Sequence, residues 1–212
     1  MSRNTELAKN TAILTIGKIC TQCISFFLLP LYTALLTTED YGTFDLLITY
    51  STLFLPLVNW QLDQGLFRFM LDHRGDKKAQ MGLFSSLFFS STVQCIIYTI
   101  LFLLIKPFLK IGNSYFLLLY VILHVYTALF LQFVRGLGLS VKYTIASFIS
   151  ASSTTILNVV TLVFLHMELK GLFASTLLSQ IITLIYLIWS STAWEYFSFK
   201  SVQLKLFRRV CT

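Results

Sequence analysis

Charge is what this sequence has least of. Charged residues fill 12% of the 212 positions, where a soluble domain carries about 25%. With 56% hydrophobic residues and a mean hydropathy of +0.77, that scarcity excludes a disordered chain, a nucleic-acid-binding domain and almost any soluble globular enzyme. Cysteine is scarce as well. Cys20, Cys23, Cys95 and Cys211 imply no disulfide framework. Cys20 and Cys23 form a C-x-x-C, but no second pair follows and no His is near, so they read as small, soft residues packed in a membrane helix. Catalytic sets are missing too. There is no Ser/His/Asp set, phosphate loop, zinc spacing or carboxylate pair, and the H-x-E at 166–168 lacks the P-C-x-x-C that follows it in deaminases. The expectation is a protein that is not an enzyme, with no catalytic residue, metal or cofactor. The first apolar run also lacks a small-residue cleavage site and is too long for a signal peptide.

What is present is apolar sequence in long runs. A membrane-spanning helix needs about 20 predominantly apolar residues. Six stretches qualify: about Ala8–Leu36, Tyr41–Asp63, Met81–Ile105, Ser114–Val134, Tyr143–His166 and Gly171–Ala193. They are too long and continuous for barrel strands, so the expected fold is all-α, a polytopic membrane bundle of six helices. The six-helix region covers 1–199 and a basic tail covers 200–212. Pro30 and Pro56 lie inside the first two runs, where each removes a backbone hydrogen bond and predicts a kink. Pro107 marks the stop of the third. Trp194 and Tyr196 suit an interfacial aromatic belt.

The net charge of +7 is a matter of topology. With the N-terminus inside, the inner segments hold Arg3, Lys9, Arg68, Arg74, Lys77, Lys78, Arg135, Lys142, Lys200, Lys205, Arg208 and Arg209, 12 in all, against Lys106, Lys110 and Lys170 outside. Such a bias is a strong positive-inside signal and places both termini in the cytoplasm. Contact with anionic lipid is a secondary use of the same charges.

Polar residues inside the runs are the candidates for function. Thr11, Thr15, Lys18, Gln22 and Ser25 recur at helical spacing in the first run. Asp45, Thr49, Thr52, Pro56, Asn59 and Asp63 repeat the device in the second. The fifth run carries Ser147, Ser150, Thr154, Asn158 and Thr161, and the sixth Ser175, Ser179, Gln180 and Thr183. The fourth offers His124, read as a core histidine, with Thr127, Gln132 and Arg135. A Lys or Asp at the centre of a membrane helix costs about 2.5–3.5 kcal/mol. Such residues face a bundle interior or a wet cavity. Hydroxyls and amides act either as glue between helices or as the lining of a hydrophilic path. Lys18 is poor glue, so it reads as path lining or as the partner of Asp45 or Asp63 in an ion pair.

The stretches "KNTAILTIGK", "LPLYT" at Leu29–Thr33, "EDYGTFDL" at Glu39–Leu46, "GLFRF" at Gly65–Phe69, "VRGLG" at Val134–Gly138 and "LKGLFAS" at Leu169–Ser175 are in order along the chain. Together they resemble the start of bacterial polysaccharide flippases, the Wzx-type O-antigen exporters of the multidrug/oligosaccharidyl-lipid/polysaccharide superfamily. The resemblance implies a location in the inner (cytoplasmic) membrane and a fold of two six-helix lobes that rock about a central cavity. It implies a cargo of undecaprenyl-pyrophosphate-linked glycan moved to the outer leaflet for surface polysaccharide, with glycan polymerase or assembly proteins as partners and no nucleic acid. Cations would hold the pyrophosphate and polar groups the sugars. The substrate-binding residues implied are Lys18, Gln22, Asn59, Asp63, Arg68 and Arg135. Ala34 stands where family members often carry Arg.

The resemblance covers one lobe. The chain is therefore expected to be the N-terminal half of a transporter, unable to move lipid-linked sugar by itself. Alternatives are an exporter of the same superfamily with a drug or a peptidoglycan precursor as cargo, and a membrane scaffold or remnant that does not transport. A glycan polymerase or acyltransferase would need catalytic residues in a sizeable outer loop, and these loops are short. An anionic lipid head calls for Lys and Arg, a cationic drug for Asp and Glu.

Overall fold

The computed structural model describes residues 3–108 and 112–197. The described chain is helical, with no strand among the described residues. Among the described residues seven α-helices follow one another: α1 (Arg3–Leu35), α2 (Thr38–Asn59), α3 (Leu62–Asp72), α4 (Lys77–Ile105), α5 (Ser114–Gly136), α6 (Ser140–Val159) and α7 (Glu168–Ser191). Six of them are long and apolar enough to cross a membrane, α3 being the exception. The fifth span runs on from α6 through a π turn, Val160–Phe164. The all-α polytopic bundle expected from the apolar runs is the fold observed.

Local chemistry sets several helix ends. Thr37 precedes α2, where its Oγ1 accepts from the Asp40 backbone N–H at 3.1 Å and donates to the Asp40 carboxylate at 2.7 Å. Glu39 and Asp40 in that first turn complement the positive end of the helix dipole. Asp76 caps α4 by accepting from Ala79 N–H at 3.1 Å. Pro107 falls in a short 3-10 turn just beyond α4, which ends the helix as expected. Neither Pro30 nor Pro56 ends its helix: α1 and α2 run through both. The second apolar run breaks further on. Trp60 and Gln61 take left-handed backbone angles, φ 47 and 56, and α3 starts afresh at Leu62.

The helices form two compact units, Met1–Leu46 with Leu139–Leu187, and Leu47–Gly138 with Ile188–Thr212. In the first, α1 packs along α6. Gly17 permits the approach, since a β-carbon there would collide with the Thr144 methyl. Ala146, Leu162 and Leu172 are buried, and Phe44 meets Phe173 at 6.0 Å between ring centroids.

In the second unit, α3 lies against α5 and α4. Leu62, Leu66 and Met70 of α3 are fully buried with Phe84, Leu87, Leu129 and Phe133. Phe84 packs on Phe133 at 4.1 Å, and Tyr196 closes on Phe133 edge-on at 5.3 Å. Gly136 makes room for Met70, whose Cβ would lie 2.6 Å from an added β-carbon. Gly138, at φ +79, lies against the Arg74 guanidinium.

Candidate functional site

The break between α2 and α3 gathers one cluster of polar groups in the second unit. α2 ends at Asn59, and Trp60 N–H still reaches Pro56 O at 3.0 Å. Two non-glycine residues in the left-handed region then turn the chain, an arrangement that costs on the order of 1–3 kcal/mol per residue and persists where its surroundings enforce it. Asp63 sits in the first turn of α3, where the positive end of the helix dipole favours a carboxylate.

Asn59 and Asp63 are 6% and 8% exposed. Asn59 Nδ2 donates to Asp63 Oδ1 at 2.6 Å, and Gln64 Nε2 donates to Asp63 Oδ2 at 3.0 Å. Both carboxylate oxygens are thus held, while Asn59 Oδ1 is buried without a hydrogen-bond partner. Beside the pair lies a cavity of about 160 Å³, bounded by Pro56, Asn59, Gln61, Asp63, Gln64 and His124 among others. His124 stacks on Tyr120 at 5.7 Å. It lies in the middle of α5, so the broken backbone and its carboxylate lie beside the centre of that helix. Irregular backbone in a membrane protein is tolerated where protein or a cavity surrounds it.

A second polar cluster occupies the first unit. Asn158 Nδ2 donates to Tyr32 Oη at 2.6 Å, and Ser175 Oγ donates to Asn158 Oδ1. Thr154 Oγ1 donates to Ser179 Oγ at 2.7 Å, and Ser179 Oγ donates to Ser150 O at 2.8 Å. These bonds tie α6 to α1 and α7. Each end of the Asn158 side chain is occupied, which is the arrangement of helix glue.

The sequence-derived site residues separate between the units. Asn59 and Asp63 are brought into direct contact. Arg68 is exposed on α3, and Arg135, in the last turn of α5, lies half-buried over the Phe67 ring at 4.2 Å. Lys18 and Gln22 belong to the first unit and are exposed on α1, as are Thr11 and Thr15, so that stripe does not face into its own unit. Asp45 is exposed as well and makes no ion pair with Lys18. Cys20 and Cys23 are exposed free thiols, not the packed residues expected. Lys110, the tail 200–212 and the side chains of Arg3, Lys9 and Ser25 lie outside the described residues.

Sequence reasoning missed Gln64, the break itself and the part played by His124. The signal was there: N-W-Q-L-D-Q puts four amide or acid side chains into six positions of an apolar run, shortly after a proline.

Compared with models of known families, residues 7–212 match the one described as "Polysaccharide biosynthesis protein". No curated protein and no solved structure matches the chain.

Proposed function

The chain belongs to the polysaccharide biosynthesis protein family, matched over nearly its whole length, and from that premise we propose that it translocates lipid-linked oligosaccharide across a bacterial cytoplasmic membrane for surface polysaccharide. The observation that carries the reading is the coincidence of that family match with six membrane-length helices whose interiors hold amides, hydroxyls and charges. Transport asks for such groups, and covalent chemistry is not required of them.

The cargo proposed is a glycan on an undecaprenyl pyrophosphate, of the kind used for O-antigen. Its doubly charged head suits guanidinium groups, which bind phosphate in bidentate fashion. Arg68 on α3 and Arg135 at the end of α5 are the cations proposed for that role in the second unit, and Lys18, with the amide of Gln22 beside it, on α1 in the first. The side chains of Asn59 and Asp63 would meet the passenger only through the cavity they border. Glycan polymerase or assembly proteins are the proposed partners in the membrane.

Orientation follows from charge. Arg68, Arg74, Lys77 and Lys78 flank the α3–α4 turn and Arg135 and Lys142 the α5–α6 turn, against Lys106 and Lys170 at the opposite ends. Cytoplasmic termini satisfy that bias. Reporter-enzyme fusions at 75 and 138 should then read cytoplasmic, and a fusion at 112 periplasmic.

The test of transport is genetic and chemical. Deleting the gene in its native host should abolish surface polysaccharide and leave lipid-linked glycan accumulating in the inner leaflet. Plasmid copies should restore export. Normal surface glycan after deletion, or loss of glycan without accumulation of the lipid-linked form, would overturn the proposal.

A further inference from the structure

One end of the second unit carries a cluster of arginines, and we propose that it holds the phosphate head of an anionic membrane phospholipid, of the phosphatidylglycerol class. The arginines come from three segments. Arg68 is exposed on α3, Arg74 stands in the turn that follows it, and Arg135 belongs to the last turn of α5. Contacts bring these segments together. The Arg135 guanidinium lies 4.2 Å over the ring of Phe67, the neighbour of Arg68. Arg74 reaches across to Gly138, just past the end of α5, where a β-carbon would collide with its guanidinium. Between them Gly136 rests on Met70 and on the Phe67 carbonyl oxygen.

Depth argues for a lipid. The spans Lys77–Ile105 and Ser114–Gly136 both end at this cluster. Trp194, exposed in the short turn after α7, belongs to the same end, since Glu195 beside it pairs with Lys77 at 2.9 Å. A tryptophan there suits the headgroup level of a bilayer. Charge then selects the head. Among the described residues this end holds the cations Arg68, Arg74, Lys77, Lys78 and Arg135 against the carboxylates Asp72, Asp76 and Glu195. Glu195 is engaged by Lys77, and Asp76 accepts from Ala79 N–H. The surplus is positive. A zwitterionic head brings its own ammonium and gains little from it, whereas an anionic head gains about fivefold in affinity for each Lys or Arg near it. Guanidinium suits the purpose better than ammonium, because its planar fork matches two phosphate oxygens at once.

Arg74 is posed by its surroundings. Gly138, at φ +79, has no side chain, so the guanidinium can lie directly on the main chain there. The site rests on depth, charge and geometry and does not depend on the transport reading. It shares Arg68 and Arg135 with the proposed cargo, so a resident lipid and a lipid-linked pyrophosphate would compete for them.

The experiment needs no cargo. Native mass spectrometry of the full-length protein, released from micelles holding equal amounts of phosphatidylglycerol and phosphatidylcholine, reads which lipid is retained. Phosphatidylglycerol should be retained in preference, and less so as ionic strength rises. Arg68→Gln and Arg74→Gln should each lower that preference about fivefold. Lys106→Gln, at the opposite end of α4, should leave it unchanged. Thermal unfolding in detergent gives a second readout: phosphatidylglycerol should raise the midpoint more than phosphatidylcholine does, and Arg74→Gln should remove most of the difference. If Arg74→Gln fails to fold, Arg68→Gln, altered on an exposed position, decides alone. Equal retention of the two lipids overturns the site, as does a preference that survives both arginine variants. A loss just as large in Lys106→Gln also overturns it, since net charge alone would then be responsible. So does inorganic phosphate that raises the midpoint as far as phosphatidylglycerol, which would mark a site for a free anion.

Discussion

Two buried asparagines divide the molecule's polar chemistry. Asn158 has both ends of its amide engaged, by Tyr32 of α1 and Ser175 of α7. Asn59 has one end engaged, by Asp63, and the other idle. The residue type is the same, and so is the setting within an apolar span. A saturated amide joins helices and has nothing left to offer. A half-saturated one, next to a carboxylate and a backbone break, retains binding capacity. Hydrogen-bond accounting therefore separates these two amides where composition cannot.

That comparison can be broken in graded steps. The largest effect is expected from Asp63→Asn, which keeps the shape and removes the charge that Asn59 and Gln64 hold: export of surface glycan in a complemented deletion strain should fall, with membrane abundance preserved. Next is Gly136→Leu, which pushes a side chain into Met70 and disturbs the frame of α3 on α5. Overpacking of this kind costs about 1–3 kcal/mol, and the unfolding midpoint in detergent should drop. Asn158→Ala should cost about 1–2 kcal/mol, since interhelical hydrogen bonds in membranes average about 0.6 each, and the unfolding midpoint in detergent should fall accordingly. The smallest effect belongs to Lys77→Gln. Its 2.9 Å pair with Glu195 is exposed on both sides, and neither stability nor export should move measurably.

The fold was legible because bilayer-length apolar runs leave few alternatives. Six spans, the stop at Pro107 and the polar stripes of α6 and α7 could be read directly, and the Asn158 and Ser179 contacts show those stripes serving as contacts between helices. The break at Trp60 was not legible. Asn59 and Asp63 are four apart, the spacing of neighbours on a continuous helix, so periodicity carried straight across a discontinuity. No glycine announced the turn, and a tryptophan at positive φ has no sequence signature. Lys18 shows the converse. A stripe on a helical wheel fixes which residues share a face but not what that face meets, and here it is exposed.

The π turn at Val160–Phe164 has a consequence for how this chain can vary. Its Leu165 N–H bonds back to Val160 O at 3.0 Å, five residues earlier, so α6 holds one residue more than a regular helix of its reach would. Deleting a single residue there should let the coil relax to ordinary pitch while the residues beyond it keep their facing. Insertions and deletions elsewhere in a span scramble its facing; at this spot the surplus residue is already accommodated, which makes it the natural place for lengths to differ among related chains.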